Sequence, residues 1–505
     1  MQRALCPVLI GREDELSELE DGLLAANRGE GQVVVLAGDA GRGKTRLATE
    51  LQRRARRLGM NVLWGGCSEA ELALPYLPFL EAIGNYLAGA DIEDLRTRLG
   101  PVRRELAHLF PQLEPEGVAP DVDSTQGRLR LYEAVLALLS QAAREQGLLL
   151  LIEDLHWADA STRELLDYLT RRLRNARIMV LATYRSDEMH RKHPLLPLIQ
   201  GWKRGSSATV VQLEPLSPEK LAEMVVAIFD LGDEGVADDT REFLHARSEG
   251  NPFVLEEMLK ASLDRGDIFR NDEGWTRKAL QEFKLPASVR DTILLRMDRL
   301  NPEEVEVLRV AAVLGGSFSY ASLVAVSGKP ESVVRGSVEI CVMQQLLVDD
   351  PRHPRNGFRF RHALTREAIY DDIIAPVKVV LHGLAADNLQ TSDASSLELS
   401  RHLLAAGRVA EAIPLCLEAA EKAASEYAHA DAAALYERVL PNLAEDEPLR
   451  ARVLCHLGTA HWGAGHSAAA HAYLKSGISL LEQLDDLQSV AHFRLVIGRC
   501  AWEMG

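Results

Sequence analysis

Residues 38 to 45 read Gly-Asp-Ala-Gly-Arg-Gly-Lys-Thr, which fits the spacing G-x-x-x-x-G-K-[ST] of a phosphate-cradling loop. Gly38, Gly41 and Gly43 let consecutive backbone N–H groups converge on an anion, and a helix that follows adds its positive dipole end. Lys44 is expected to place its charge between the β- and γ-phosphates, and the Thr45 hydroxyl to complete the coordination of Mg²⁺. Arg42 and Arg46 flank that lysine and belong to the same candidate binding set. A glycine turn that merely caps a helix would look similar, but the preceding apolar run Gln32 to Ala37 reads as a buried strand and favours the triphosphate loop.

A second cluster lies downstream, where Leu148 to Ile152 is an unbroken apolar run that ends in Glu153 and Asp154. A buried strand that delivers acids at its tip suits a Mg²⁺–nucleotide site. Glu153 is assigned to the metal, and Asp154 to orienting or deprotonating an attacking water. A third run ends Thr183-Tyr184-Arg185, placing a hydroxyl and a guanidinium where a γ-phosphate would be felt. A surface pairing of Arg185 with Asp187 or Glu188 is the plainer alternative for that arginine.

These acids and cations need a scaffold that brings strand ends together. The β-type runs at 32–37, 61–64, 148–152, 178–182 and 209–213 alternate with helical pattern, which predicts a parallel sheet covered on both faces with its ligand at the carboxyl ends of the strands. At 505 residues the chain should hold about three to four domains.

Apolar content of 47% and charged content of 26% are ordinary for a globular protein, and no apolar run reaches the length of a membrane span or forms an export signal, so a cytoplasmic location is expected. The six cysteines are scattered without a C-x-x-C pair, so they are read as reduced, mostly buried thiols. A net charge of −17 argues against a surface that binds nucleic acid throughout. The basic cluster Arg53-Arg54-Ala55-Arg56-Arg57 reads as the solvated end of the helix that begins at the loop.

The C-terminal half is helical in pattern. Ser217-Pro218-Glu219 starts a helical stretch to about Leu285, read as a lid (216–285). Within 286–378, Pro302 to Ile374 gives three helical stretches and a hairpin through Leu346-Leu347-Val348 and Phe358-Arg359-Phe360, the order of a winged helix. Its would-be reading helix carries Glu331 and Glu339 against Arg335, which suits an intramolecular role better than DNA. From 379 to 505 the chain is alanine-rich with tetratricopeptide-like spacing, an array apparently incomplete at Gly505.

The run Ile10-Gly11-Arg12-Glu13, the phosphate loop, Ile152-Glu153-Asp154-Leu155-His156-Trp157-Ala158-Asp159, Thr183-Tyr184-Arg185 and Gly250-Asn251-Pro252-Phe253 occur in the order seen in STAND-type ATPases. The set most resembles the large ATP-binding LuxR-type transcriptional regulators of bacteria. That resemblance implies an α/β P-loop NTPase of AAA+/STAND-like type, closed with ADP at rest and assembling with ATP when an inducer is sensed. It implies that Ile10, Gly11 and Arg12 lie near the adenine, and that Pro252 packs on the base from the lid. A helix stop and restart explains Gly250-Asn251-Pro252 equally well.

Phe360-Arg361-His362-Ala363-Leu364 is similar to the motif whose histidine touches the β-phosphate of ADP in such switches, although a core or surface histidine is the commoner fate. Glu153 stands where many relatives have Asp, and Asp154 where many hydrolytic ATPases have Glu, so slow turnover is expected. The family carries a DNA-reading helix-turn-helix after its repeats. None is read before Gly505, so either the array continues beyond it or the protein acts without its own DNA reader. The expected ligands are ATP or ADP with Mg²⁺, and the expected partner is an inducer or protein at the repeats. The alternatives are a working ATPase, the regulatory ATPase module of a nucleotidyl (adenylate) cyclase system, or a nucleotide-binding scaffold.

Overall fold

Gln32–Gly38 (β1), Asn61–Gly66 (β2), Leu148–Glu153 (β3), Ile178–Arg185 (β4) and Thr209–Gln212 (β5) form one parallel sheet in the order β2-β3-β4-β1-β5. The computed structural model describes residues 5–68, 74–114, 124–231, 235–265, 267–271, 274–277, 293–294, 297, 300–350, 357–391, 395–444 and 448–504. The boundary at Leu285 to Ser288 and the connection at 351–356 lie outside the described residues.

The central strands read as unbroken apolar runs because both faces of the sheet are covered. Val33, Val35, Leu148, Leu150, Ile178 and Val180 enter one core, while Val34, Leu36, Leu149, Leu151, Met179 and Leu181 enter the other. The second face is closed by helices Glu13–Asn27 and Lys44–Arg57. Leu19, Leu47 and Leu51 have no exposed surface there, and each stabilises the sheet by about 1.5–3 kcal/mol. Arg54, Arg56 and Arg57 occupy the last turn of the second helix, the end that favours cations.

The opposite face packs under helices Leu77–Gly89, Ser124–Ala143 and Ala160–Arg172. That core continues without a break into the C-terminal helices, through Cys416, Ala420, Ala423, Tyr427, Ala432 and Tyr436. A Cβ built at Gly127 would fall 2.1 Å from the Tyr427 ring, so the tyrosine reaches the Ser124–Ala143 helix where there is no side chain to keep it off.

After the sheet come helices Pro218–Phe229, Asp238–Ser248 and Pro252–Arg265, which share a small core with Cys6 and Ile10. Helices Pro302–Leu314, Tyr320–Ser327 and Glu331–Met343 surround a separate core. They pack with an antiparallel sheet in which Gly357–Phe360 lies between Ser317–Ser319 and Leu347–Asp349. The strand at Ser317 is an addition to the expected hairpin.

Helices Ala363–Asp372 and Ala375–Gln390 lead into a stack from Ser396 to Met504 in which each helix packs on the next. All six cysteines are buried. Among the described residues no helix is long and apolar enough to cross a membrane.

Candidate functional site

The phosphate loop leaves β1 at Gly38, whose backbone is in register with Arg185 at the end of β4. The loop closes at Gly43, and Lys44 opens the next helix. Gly41 has φ +82, and a Cβ there would meet the Asn251 side chain at 2.7 Å and Phe253 at 2.9 Å. A side chain at this position is therefore excluded on two independent grounds.

Lys44 is buried and donates from Nζ to the carbonyls of Gly38 at 2.7 Å and Asp39 at 2.9 Å. Burial lowers its pKa to about 8, against the opposing pull of the Asp154, Asp187 and Asp39 carboxylates. The ammonium is thus poorly hydrated and aimed along the loop, which suits it to a phosphate.

Glu153 and Asp154 lie beyond β4 from the loop. The Trp64 indole donates to Glu153 Oε2 at 3.0 Å, with Glu153 and Gly66 in register across β2 and β3. Burial raises the Glu153 carboxyl and the neighbouring Asp154 charge adds to this, while hydrogen bonds with Thr45 and Trp64 oppose it. Asp154 has a left-handed backbone, φ 54, with its N–H on Thr183 Oγ1 at 3.1 Å. Burial raises its carboxyl too, against the pull of Arg185 and Lys44. The set Thr45 hydroxyl, Glu153 carboxylate and phosphate oxygen is one of hard donors, and it fits a Mg²⁺ ion.

Arg185 is 5% exposed. Its Nη1 lies 2.6 Å from Glu188 Oε1 and 2.9 Å from Glu367 Oε1, and its Nε is 4.0 Å from Asp154 Oδ1. The local pairing with Glu188 is therefore present, but the arginine is buried and also holds a carboxylate from the distant helix Ala363–Asp372. The His156 Nδ1 accepts from the Arg185 N–H at 3.3 Å. Burial pushes the His156 pKa down to about 3, aided by Arg185 and Lys44, so the ring is a neutral prop for the end of β4.

The other candidates surround the loop. Arg12 is buried, donating to the carbonyls of Arg42 at 3.2 Å and Glu214 at 2.7 Å and pairing with Glu15 at 3.0 Å. It ties the N-terminal segment to the loop and to the start of the helical region after β5. Ile10 packs into that region's core, and the Gly11 N–H bonds Glu13 Oε1 at 3.0 Å. Arg42 reaches the Glu249 carbonyl at 3.1 Å and Asp39 at 3.3 Å. Arg46 is exposed, and its charge acts on Glu256.

Pro252 takes the first position of its helix behind Asn251, whose Oδ1 caps the N–H groups of Phe253 and Val254 at 3.0 and 3.4 Å. His362 lies with its ring 4.4 Å from that of Phe253, centroid to centroid. Arg359 on the Gly357–Phe360 strand lowers the Glu153 carboxyl by its charge. Within the segment 359–367, Arg359 thus acts on Glu153, His362 touches Phe253 and Glu367 holds Arg185. Trp64, Asn251, His156 and Glu367 are additions to the residues assigned from sequence.

A parallel α/β sheet that carries this loop defines a P-loop nucleoside triphosphatase core. Residues 8–181 match the AAA ATPase domain family. An uncharacterized protein of Rhizobium meliloti (strain 1021) is 26% identical over 463 residues, which is 86% of this chain and 42% of that protein, so the chain spans less than half of its relative. Among solved structures, the chain is similar to the Signal Transduction ATPase with Numerous Domains (STAND) protein with a tetratricopeptide repeat sensor from Pyrococcus horikoshii. That likeness has 15% identity and a TM-score of 0.48, covering 95% of this chain and 65% of that one. A Walker-type ATPase of Pyrococcus abyssi is similar at 14% identity and a TM-score of 0.36, over 73% of this chain and 98% of its own.

Proposed function

We propose that this protein is an ATP-binding signalling switch of the transcription-regulator type, in which exchange between ADP and ATP controls assembly and hydrolysis is slow. The observation that carries this reading is the contact of the His362 ring with that of Phe253, which itself abuts Gly41 of the phosphate loop. Through that contact, a segment far along the chain has a direct physical stake in whether the loop is filled.

In this reading residues 216–285 form a lid, 286–378 a winged helix that acts within the molecule, and 379–505 tetratricopeptide-like repeats that take an inducer or a protein partner. Lys44 and the loop N–H groups hold the phosphates, with Arg42, Arg46, Ile10, Gly11, Arg12 and Pro252 around the nucleotide and His362 near its diphosphate. Thr45 and Glu153 would hold Mg²⁺, which neutralises phosphate charge when bound. Asp154 orients water, and Arg185 senses the terminal phosphate. A switch of this kind shifts populations, so the inducer must bind the ATP form more tightly than the ADP form.

Isothermal titration of the whole chain with ATP and with ADP tests the site. Lys44→Ala should abolish binding while circular dichroism stays unchanged, and undiminished affinity in that variant sinks the proposal.

A further inference from the structure

We propose that Glu367 sets the preference of this site between di- and triphosphate, by competing with a γ-phosphate for Arg185. The inference rests on the nucleotide-binding reading above and adds a residue that discriminates within it.

Arg185 ends β4 beside the start of the phosphate loop, with Gly38 as its register partner. It lies within electrostatic range of Lys44 and 4.0 Å from Asp154, so its charge belongs to the terminal-phosphate side of the site. Two carboxylates share its Nη1. Glu188 comes from the same segment of the ATPase core and contacts Arg185 however the later domains are placed. Glu367 comes from the helix Ala363–Asp372, which opens at His362, and its contact exists only while that helix is seated against the core.

A carboxylate that accepts a charge-assisted hydrogen bond from a buried arginine imitates one oxygen of a phosphate. When a γ-phosphate arrives, Arg185 faces a stronger anion, and Glu367 becomes a like-charged neighbour in a poorly hydrated place. A diphosphate ends one group short and leaves the pair intact. Triphosphate binding thus costs the Arg185–Glu367 contact and loosens the helix that bears it, whereas diphosphate binding does not. The discrimination comes from a repulsive element built against one ligand.

The test is calorimetric titration of the whole chain with ADP and with a non-hydrolysable ATP analogue, both with Mg²⁺, in the natural protein, Glu367→Gln and Glu188→Gln. Glu367→Gln should raise the ratio of triphosphate to diphosphate affinity by about tenfold, chiefly through the triphosphate. Glu188→Gln strengthens Glu367 as the remaining partner and should lower that ratio or leave it in place.

In parallel, hydrogen exchange across residues 363–372 of the natural protein should rise with the triphosphate analogue and stay low with ADP. This second arm decides the matter if Glu367→Gln does not fold. An unchanged ratio in Glu367→Gln, equal changes in both affinities in that variant, a raised ratio in Glu188→Gln, or identical exchange with the two nucleotides overturns the proposal. Absence of binding by either nucleotide to the natural protein overturns the nucleotide reading itself, and this inference with it.

Discussion

Asn251 Nδ2 donates to the Ala40 carbonyl at 2.9 Å, joining the cap of one helix to the tip of the phosphate loop more than two hundred residues earlier in the chain. The same side chain holds the first N–H groups of the Pro252–Arg265 helix, so the loop and the helix against which His362 leans are set by one amide. Asn251→Ala removes all three bonds. Loss of such a cap costs about 1 kcal/mol, and because the loop loses its brace, ADP and ATP affinity should fall together by severalfold. Equal nucleotide affinity in the variant and the natural protein would contradict this.

Trp64 fixes the carboxylate assigned to the metal. The indole favours the ionised form of a group that burial drives the other way, so Trp64→Phe should raise the Glu153 pKa further. The gain in ATP affinity on adding Mg²⁺ should then shrink, while affinity in EDTA stays as it was. A Mg²⁺ response of the same size in both proteins rules the role out.

Lys44 gives the site its pH dependence. Its folded pKa of about 8 lies below the ordinary lysine value of 10.5, so above about pH 8 the unliganded protein must take up a proton to present an ammonium to phosphate. ATP affinity should therefore decline as pH rises past 8, approaching tenfold per pH unit. The sign for folding is the reverse. Between about 8 and 10.5 the unfolded chain holds the proton that the folded one has lost, so this group's penalty on stability is full below that window and relieved across it. Titrations from pH 7 to 9.5 check the first statement, and a flat profile refutes it.

The helix His429–Val439 docks on the ATPase core through a second acid pair. Asp431 accepts from the N–H groups of Ala160 at 3.0 Å and Ser161 at 3.1 Å, at the helix end that Asp159 already caps through Thr162. Burial, reinforced by the Asp431 charge, raises Asp159 to about 7 from the ordinary carboxylate value of 3.8. A raised acid contributes stability that is complete below its unfolded pKa and disappears as pH climbs through about 7. Melting temperature should thus drop across pH 4–7 by more in the natural protein than in Asp431→Asn, which removes one of the two charges. Parallel curves would argue against the coupling.

What could be read from the chain alone follows from how local each signal is. The five strands were legible because a sheet covered on both faces demands runs such as Leu148 to Ile152, and the loop because three glycines and a lysine at fixed spacing have few other uses. Strand β4 continues through polar Thr183 and Arg185, and both are buried there because β1 and β3 flank it. Glu367 and Asp431 look like solvated positions on helices, and only tertiary contact gives them partners in the ATPase core. Trp64 reads as an ordinary strand aromatic until its register beside the Glu153 strand is known.

The most direct test of the central claim is titration of the folded, full-length chain with ATP and ADP in the presence of Mg²⁺. The account predicts saturable binding of both nucleotides at one site, lost in Lys44→Ala. A folded protein that takes up neither nucleotide, or one whose binding survives the loss of that lysine, would contradict it.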